Sequence, residues 1–411
     1  MSNNTSYKDL FTERNYLKLT IANTISRFGD SIVSIAYIWL MYELTGSAAL
    51  MAINLFMQSI PKTLFQPISG AIVDKLSKKK VLLICMAGRF IAMFSVAFLV
   101  MLDLAGVFIL LAFTFICSTI EAVYSPAIIA ITPLVLAEDK YSTGTGLNNS
   151  LGQAANLAGT AIAGVLVVII GSVGVLALGA ATSILSFFFV FTMNDTERRA
   201  ASRINLRSAK QSIYEGVSYV KANRLFGALL ALGMLLSAMV VPFSAFSVVF
   251  LMEYLESGPE FFSVVKVSLS VAAMVGAVIM PKMKKTKNKR IILSGGSLIG
   301  MCMMLMSFLP LLGTAVLRQG FMILIVAIAG VALGAINVMF GVIFIQQIDK
   351  EFLGRMEGIT NSATGVAVPV ISAICAVFAA SADVPRIFFA FGAILVFMFT
   401  VLSRFRIYNR I

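Results

Sequence analysis

The sequence contains no histidine. That excludes imidazole metal ligation, an imidazole general base and a histidine proton relay. Charge is scarce too. Only 12% of the 411 residues are charged, against about 25% in a typical soluble domain. Half the usual charge cannot cover a water-facing surface of this length, so a soluble enzyme is excluded and no enzymatic activity is expected. The four cysteines, Cys85, Cys117, Cys302 and Cys375, are scattered singly through apolar runs. Their spacing suits neither a metal site nor a disulfide framework, and they read as small buried hydrophobes. No P-loop occurs, so ATP is not the expected energy source, and no cofactor or metal is called for. The polar opening MSNNTSYKDLFTERN has no small-residue cleavage site, so the first apolar run is expected to direct insertion.

What is abundant is apolar: 59% of residues are hydrophobic and the mean hydropathy is +0.95. A bilayer crossing takes about 20 apolar residues. Twelve runs qualify, at 16–44, 47–73, 81–101, 105–136, 142–170, 173–193, 224–252, 261–281, 291–312, 319–347, 352–379 and 385–404. All are predicted helices, because a helix satisfies its own backbone in lipid and barrel strands are too short for such runs. The fold class is therefore an all-α membrane protein with twelve transmembrane helices.

The net charge of +13 suits nucleic acid, an anionic membrane surface or a topology signal, and position decides. With a cytoplasmic N-terminus, 26 of the 32 basic residues fall in cytoplasmic loops and tails, and only Arg318 and Arg386 fall outside. This split is a positive-inside signal: both termini cytoplasmic, a multi-pass protein, no nucleic-acid partner. The run KMKKTKNKR at 282–290 can also hold anionic headgroups. Residues 194–223 are the longest polar stretch; Leu206, Ile213, Val217 and Val220 recur on one helical face, predicting an amphipathic surface linker. It divides an N-terminal six-helix half, 1–193, from a C-terminal half, 224–411. The halves echo each other: GLNNS at 146–150 matches GITNS at 358–362, and Asn15-Tyr16-Leu17 parallels Asn223-Arg224-Leu225. Such internal symmetry is expected of transporters built from repeats.

The second run ends in GAIVDKLSKKK (70–80). This resembles the loop motif of the major facilitator superfamily, with Gly70, Asp74, Lys75, Lys78 and Lys79 on the pattern and Ser77 in place of the second glycine. The stretch 125–151, with Pro126, Pro133, Glu138 and Asp139, and the opening RFGDSIVSIAYIWLMYELTGSAA (27–49) resemble the drug:proton antiporter branch that contains the macrolide-efflux (Mef-type) exporters. The resemblance covers the whole chain. It implies the major facilitator fold in two pseudo-symmetric halves. It also implies secondary efflux driven by a proton gradient, and a bacterial cytoplasmic membrane as the location. In that family Asp74 closes the cytoplasmic side. Physically, Gly70 lets a helix approach closely. Asp74 can accept from the free N–H groups at the start of the eleventh helix, near Gly354 and Arg355, with Lys75 and Lys78 balancing charge. Position 282, the counterpart in the second half, is lysine, so the latch is expected once. The branch also carries a glycine–proline motif in the fifth helix. Here ANLAGTAIAG (155–164) keeps Gly159 and Gly164 but has Thr160 for the proline. Gly159, Gly164 and, in the eleventh helix, Pro369 are read as helix-packing residues.

Six charges fall inside the runs: Arg27, Asp30, Lys62, Arg89, Glu121 and Lys266. Each costs about 2.5–3.5 kcal/mol at a span centre, so they must pair, reach a headgroup or face a wet cavity. Arg27 and Asp30, three apart, share a face. They read either as a local ion pair or as a cavity site at which Asp30 exchanges a proton. Glu121, in an apolar wall with Tyr124 one turn on, reads as a substrate or proton site, or as the partner of Arg89 or Lys62. Arg89 equally suits a headgroup role near the end of its span. Lys266 reads as a contact for an acidic substrate group, or as a cation reaching outward. The 32 Phe and 22 Met residues suit a soft pocket for varied apolar molecules. The expected function is proton-coupled export of a hydrophobic or amphipathic small molecule by a monomer. The alternatives are export or flipping of a lysophospholipid, siderophore or other amphiphile, and then a non-transporting membrane sensor.

Overall fold

A computed structural model describes residues 10, 12–73, 76–137, 140–194, 224–280, 288–347, 353–380 and 382–404. Among them the chain is almost wholly helical, with no strand. In chain order the helices are α1 (Arg14–Thr45), α2 (Ala48–Val73), α3 (Lys78–Met101), α4 (Val107–Val135), α5 (Tyr141–Phe191), α6 (Arg224–Val249), α7 (Pro259–Ile279), α8 (Asn288–Met306), α9 (Ala315–Gln347), α10 (Leu353–Ala379) and α11 (Val384–Arg404). α5 is two helices in one, broken at Gly171, where φ is 73° and ψ is 165°. Glycine takes that left-handed backbone without penalty, so the two limbs supply the fifth and sixth of the twelve expected spans. Eight described helices contain a stretch long and apolar enough to cross a bilayer.

Local chemistry sets the helix ends. Ser77 caps α3, its side chain accepting from Lys80 N, so α3 starts before the apolar run at 81. Gly106 precedes α4 with extended backbone. At α7, Pro259 and Glu260 occupy the first turn, where a missing N–H is harmless and a negative charge favourable. Pro126 and Pro133 lie inside α4, Pro242 inside α6 and Pro369, buried, inside α10.

The chain divides into two compact units, Met1–Leu44 with Ile60–Leu206, and Thr45–Ser59 with Arg207–Ile411. The boundary thus also falls inside α2, between Ser59 and Ile60. The sequence-based linker 194–223 lies outside the described residues except for Asn194.

In the first unit, α3 packs against α4 and α5. Leu82 and Met86 meet Tyr16, Leu19, Ala127, Ile131 and Val190 in one apolar cluster. One end is tied by polar bonds. Lys18 Nζ donates to Thr192 O (2.5 Å) and Lys79 Nζ to Met193 O (2.6 Å). These lysines satisfy orphan carbonyls at the negative end of the α5 dipole. Asn194 N donates to Asn15 Oδ1 (3.0 Å), and Lys140 pairs with Glu13 (2.9 Å). Lys79, a motif position, and Asn15, part of the internal echo, thus close a helix end.

In the second unit, α7 and α9 meet along a glycine seam. A Cβ at Gly276 or Gly334 would overlap the carbonyl of Val331 or Ala273, and one at Gly330 would come within 2.7 Å of Leu269 O. α8 and α11 meet similarly at Gly300 and Gly392. After α6 the chain makes a π turn at Phe250–Tyr254. The following loop, where Glu256 has φ of 52°, is pinned by Arg318. The guanidinium of Arg318 donates to Leu312 O (2.8 Å) and Tyr254 O (3.2 Å).

Candidate functional site: a shared guanidinium in the first unit

α1 carries Asn23, Ser26 and Asp30 at spacings of three and four, which puts them on one face. α4 carries Glu121 and Tyr124 one turn apart. α3 brings Arg89 between them. Arg89 is 4% exposed. Its Nη1 donates to Asp30 Oδ2 (2.6 Å) and Ser26 Oγ (2.8 Å), and its Nη2 pairs with Glu121 Oε2. Its guanidinium lies 4.5 Å from the centre of the Tyr124 ring, a cation–π contact. Tyr124 OH in turn donates to Asn23 Oδ1 (3.4 Å), and Asn23 Nδ2 to Asn148 Oδ1 (3.1 Å) on α5. Four helices are thus joined through one buried cation.

The exposures are unequal. The Arg89 side chain is 5% exposed, while those of Asp30 and Glu121 are 38% and 37%. The cation is sealed in protein and each carboxylate presents a flank outward. Two carboxylates face one guanidinium, so one negative charge is in excess. Arg27, exposed on α1, is a further positive charge three residues from Asp30 on the same helix. Its Cδ lies 2.6 Å from where a Cβ at Gly152 would stand, so Gly152 leaves room for its stem.

The sequence expectations fare differently here. Asp30 pairs with Arg89 rather than with Arg27, which has no ion pair among the described residues. A guanidinium buried to this degree demands fixed counter-charges, while an exposed one is solvated where it is. Arg89 has no headgroup role, because it is sealed among α1, α3 and α4. Glu121 takes Arg89 and not Lys62; Lys62 stands exposed on α2. Lys266 lies in the other unit. Gly159 is a packing residue on α5: a Cβ there would come within 2.8 Å of Phe28 O and 2.9 Å of Ser31 Cβ. Thr160, in the proline's place, shares a 2.7 Å hydrogen bond with Ser31 Oγ. Gly164 lies further along α5.

Of the latch residues, Lys78 opens α3, and Gly70 lies within α2. Gly354 and Arg355 lie in the first turn of α10. Asp74 and Lys75 lie outside the described residues. Ser26, Asn23 and Asn148 were not anticipated. Asn148 stands inside the GLNNS segment that is echoed at 358–362, the one signal in the sequence that points to it.

The sequence model of the Major Facilitator Superfamily matches residues 19–326. Macrolide efflux protein A of Streptococcus pyogenes is 26% identical over 384 residues, which is 90% of this chain and 91% of that protein. The protein of the same name from Enterococcus faecalis is 26% identical over 337 residues, 79% of this chain and 99% of its own. Among solved structures, a mutant of the nucleoside transporter NupG superposes with a TM-score of 0.76 at 16% identity, covering 94% of this chain and 99% of that one. A POT family transporter in complex with 5-aminolevulinic acid gives 0.72 at 14% identity, with 95% of each chain covered.

Proposed function

Because the chain belongs to the major facilitator superfamily, and is a multi-pass integral membrane protein, we propose that it exports hydrophobic or amphipathic molecules of the macrolide kind against an inward flow of protons. It does so as a monomer with both termini cytoplasmic. Support for the substrate class comes from the macrolide efflux relatives, which match nearly end to end. Support for proton coupling comes from one observation: a buried guanidinium shared by two partly exposed carboxylates. One carboxylate must stay ionised to hold Arg89. The other is in excess and can take a proton without stranding the cation. Loading the pair removes the excess charge and weakens one of the two links from Arg89 to α1 and α4. That couples proton binding to helix packing and so to alternating access by the two halves.

The test is flux in proteoliposomes loaded with radiolabelled erythromycin. An imposed pH gradient should drive transport, and a protonophore should abolish it. Asp30→Asn and Glu121→Gln should each remove the dependence on the gradient while leaving the protein inserted. Transport that is unchanged when the gradient is collapsed would rule out the coupling.

Asp74 is proposed to accept from the first-turn N–H groups of α10 in one conformation of the cycle, with Gly354, Arg355 and Lys78 beside it. Asp74→Asn is then expected to cut transport about tenfold, the loss of one charge-assisted contact, with membrane abundance unchanged on immunoblots. Full activity would remove the latch.

A further inference from the structure

α7 carries a cation into the apolar part of the second unit. Lys266 Nζ lies 5.2 Å from the Phe262 ring centre and 5.5 Å from that of Phe243. Among the described residues it pairs with no carboxylate, whereas Arg89 has two. The acids described in this unit, Glu253, Glu256, Glu260, Glu357 and Asp383, stand near helix ends or in loops. Two ring faces replace only part of the hydration that an ammonium loses in an apolar span. A counter-ion is wanting.

Beside Lys266 is a cavity of about 440 Å³, including its open mouth. Four helices line it, with Met239 and Phe243 from α6, Leu269 from α7, Met303 from α8 and Val326 from α9 among its walls. Phe243 belongs to both features, and Leu269 is one turn from Lys266 on the same face. Every lining side chain is apolar or a cysteine. Lys266 is not itself in the wall and meets it through Phe243, so a small polar anion would find no polar partner inside the cavity. A neutral apolar molecule would fill the cavity and leave the ammonium unmatched.

We propose that Lys266 and this cavity form a binding site for an anionic amphiphile. The anionic head pairs with the Lys266 ammonium beside the Phe243 and Phe262 rings, and the apolar body lies among α6, α7, α8 and α9. The head is a carboxylate or a phosphate, supplied by a free long-chain acid or by a membrane lipid. The methionines in the wall adapt to bodies of different shape. The site is separate from the Arg89 cluster and does not depend on proton coupling.

Binding of radiolabelled laurate to the full chain in phosphatidylcholine nanodiscs, corrected with empty discs, tests this. Laurate should bind about tenfold tighter than 1-dodecanol, which has the same chain without the charge; this comparison needs no variant. Lys266→Met should lose about tenfold in laurate affinity, and Lys266→Arg should stay within about threefold. Leu269→Trp should weaken binding by filling the cavity while leaving Lys266 in place. Displacement of laurate by phosphatidylglycerol in the discs assigns the site to a lipid headgroup. Failure to displace assigns it to the free carboxylate. Equal affinity for laurate and dodecanol would overturn the proposal, and so would wild-type affinity in a well-folded Lys266→Met or Leu269→Trp protein. None of these readouts involves flux, so their failure leaves the efflux reading standing, and the reverse also holds.

Discussion

Asp30→Asn and Glu121→Gln should each cost little stability alone and far more together. Each single change leaves Arg89 with one ionised partner. The lost carboxylate is more than a third exposed and partly screened, so its pairing is worth about 1 kcal/mol or less. The double change leaves a guanidinium that is 4% exposed with no counter-charge, and an unpaired buried charge costs about 3–5 kcal/mol. Thermal unfolding in detergent, followed by loss of the monodisperse peak, should therefore show strong non-additivity. Adding Arg89→Met to the double variant should recover much of the loss, since an apolar side chain of similar length needs no partner. Both single variants should be folded yet lose gradient-driven transport, which separates the structural role of the cluster from its transport role. Additive losses, or a triple variant no better than the double, would mean that the carboxylates do not hold Arg89 as drawn.

Much of the fold was legible because the bilayer imposes length. The twelve apolar runs coincide with the helices, and they err where local chemistry acts. α3 begins at Lys78 because Ser77 caps it, although lysines 78–80 read as loop. The fifth and sixth spans are joined with no loop at all because the non-helical backbone of Gly171 alone breaks the helix between them. The site was half legible. Charges inside apolar runs are rare enough that Asp30, Arg89 and Glu121 all stood out. Their pairing was not legible, because helical spacing reports only neighbours on one helix. It offered Arg27 for Asp30, yet the true partner comes from α3, 59 positions away. The Asn23–Asn148 bond spans 125 positions and involves neutral residues with no signal in a single chain. Lys266 was legible as a charge. The cavity beside it was not, since its walls come from four helices that look alike in sequence.

The glycine seam of the second unit yields a prediction in which one substitution has opposite signs at two places on one helix. Gly334 and Gly341 both lie in α9. Replacing glycine by alanine inside a helix is normally worth up to about 1 kcal/mol in favour of the helix. At Gly341 nothing lies within 4 Å of the new Cβ, so Gly341→Ala should be neutral or stabilising. At Gly334 the new Cβ would overlap the backbone carbonyl of Ala273 on α7. No rotamer relieves a clash with backbone, so α7 and α9 must separate. Overpacking costs about 1–3 kcal/mol even where side chains can yield, and here they cannot. The separation also breaks the approach at Gly276 and Gly330, because the three glycines share the seam. Gly334→Ala should therefore lower the melting temperature, and Gly334→Val should reduce the folded yield to background. α7 carries Lys266 and Leu269, and Leu333 beside Gly334 lines the cavity, so the milder Gly334→Ala should also weaken laurate binding although Gly334 is itself no part of the wall. Equal melting temperatures for Gly334→Ala and Gly341→Ala would show that the two helices do not meet backbone to backbone. The rigid placement of Lys266 against the cavity would then lose its support.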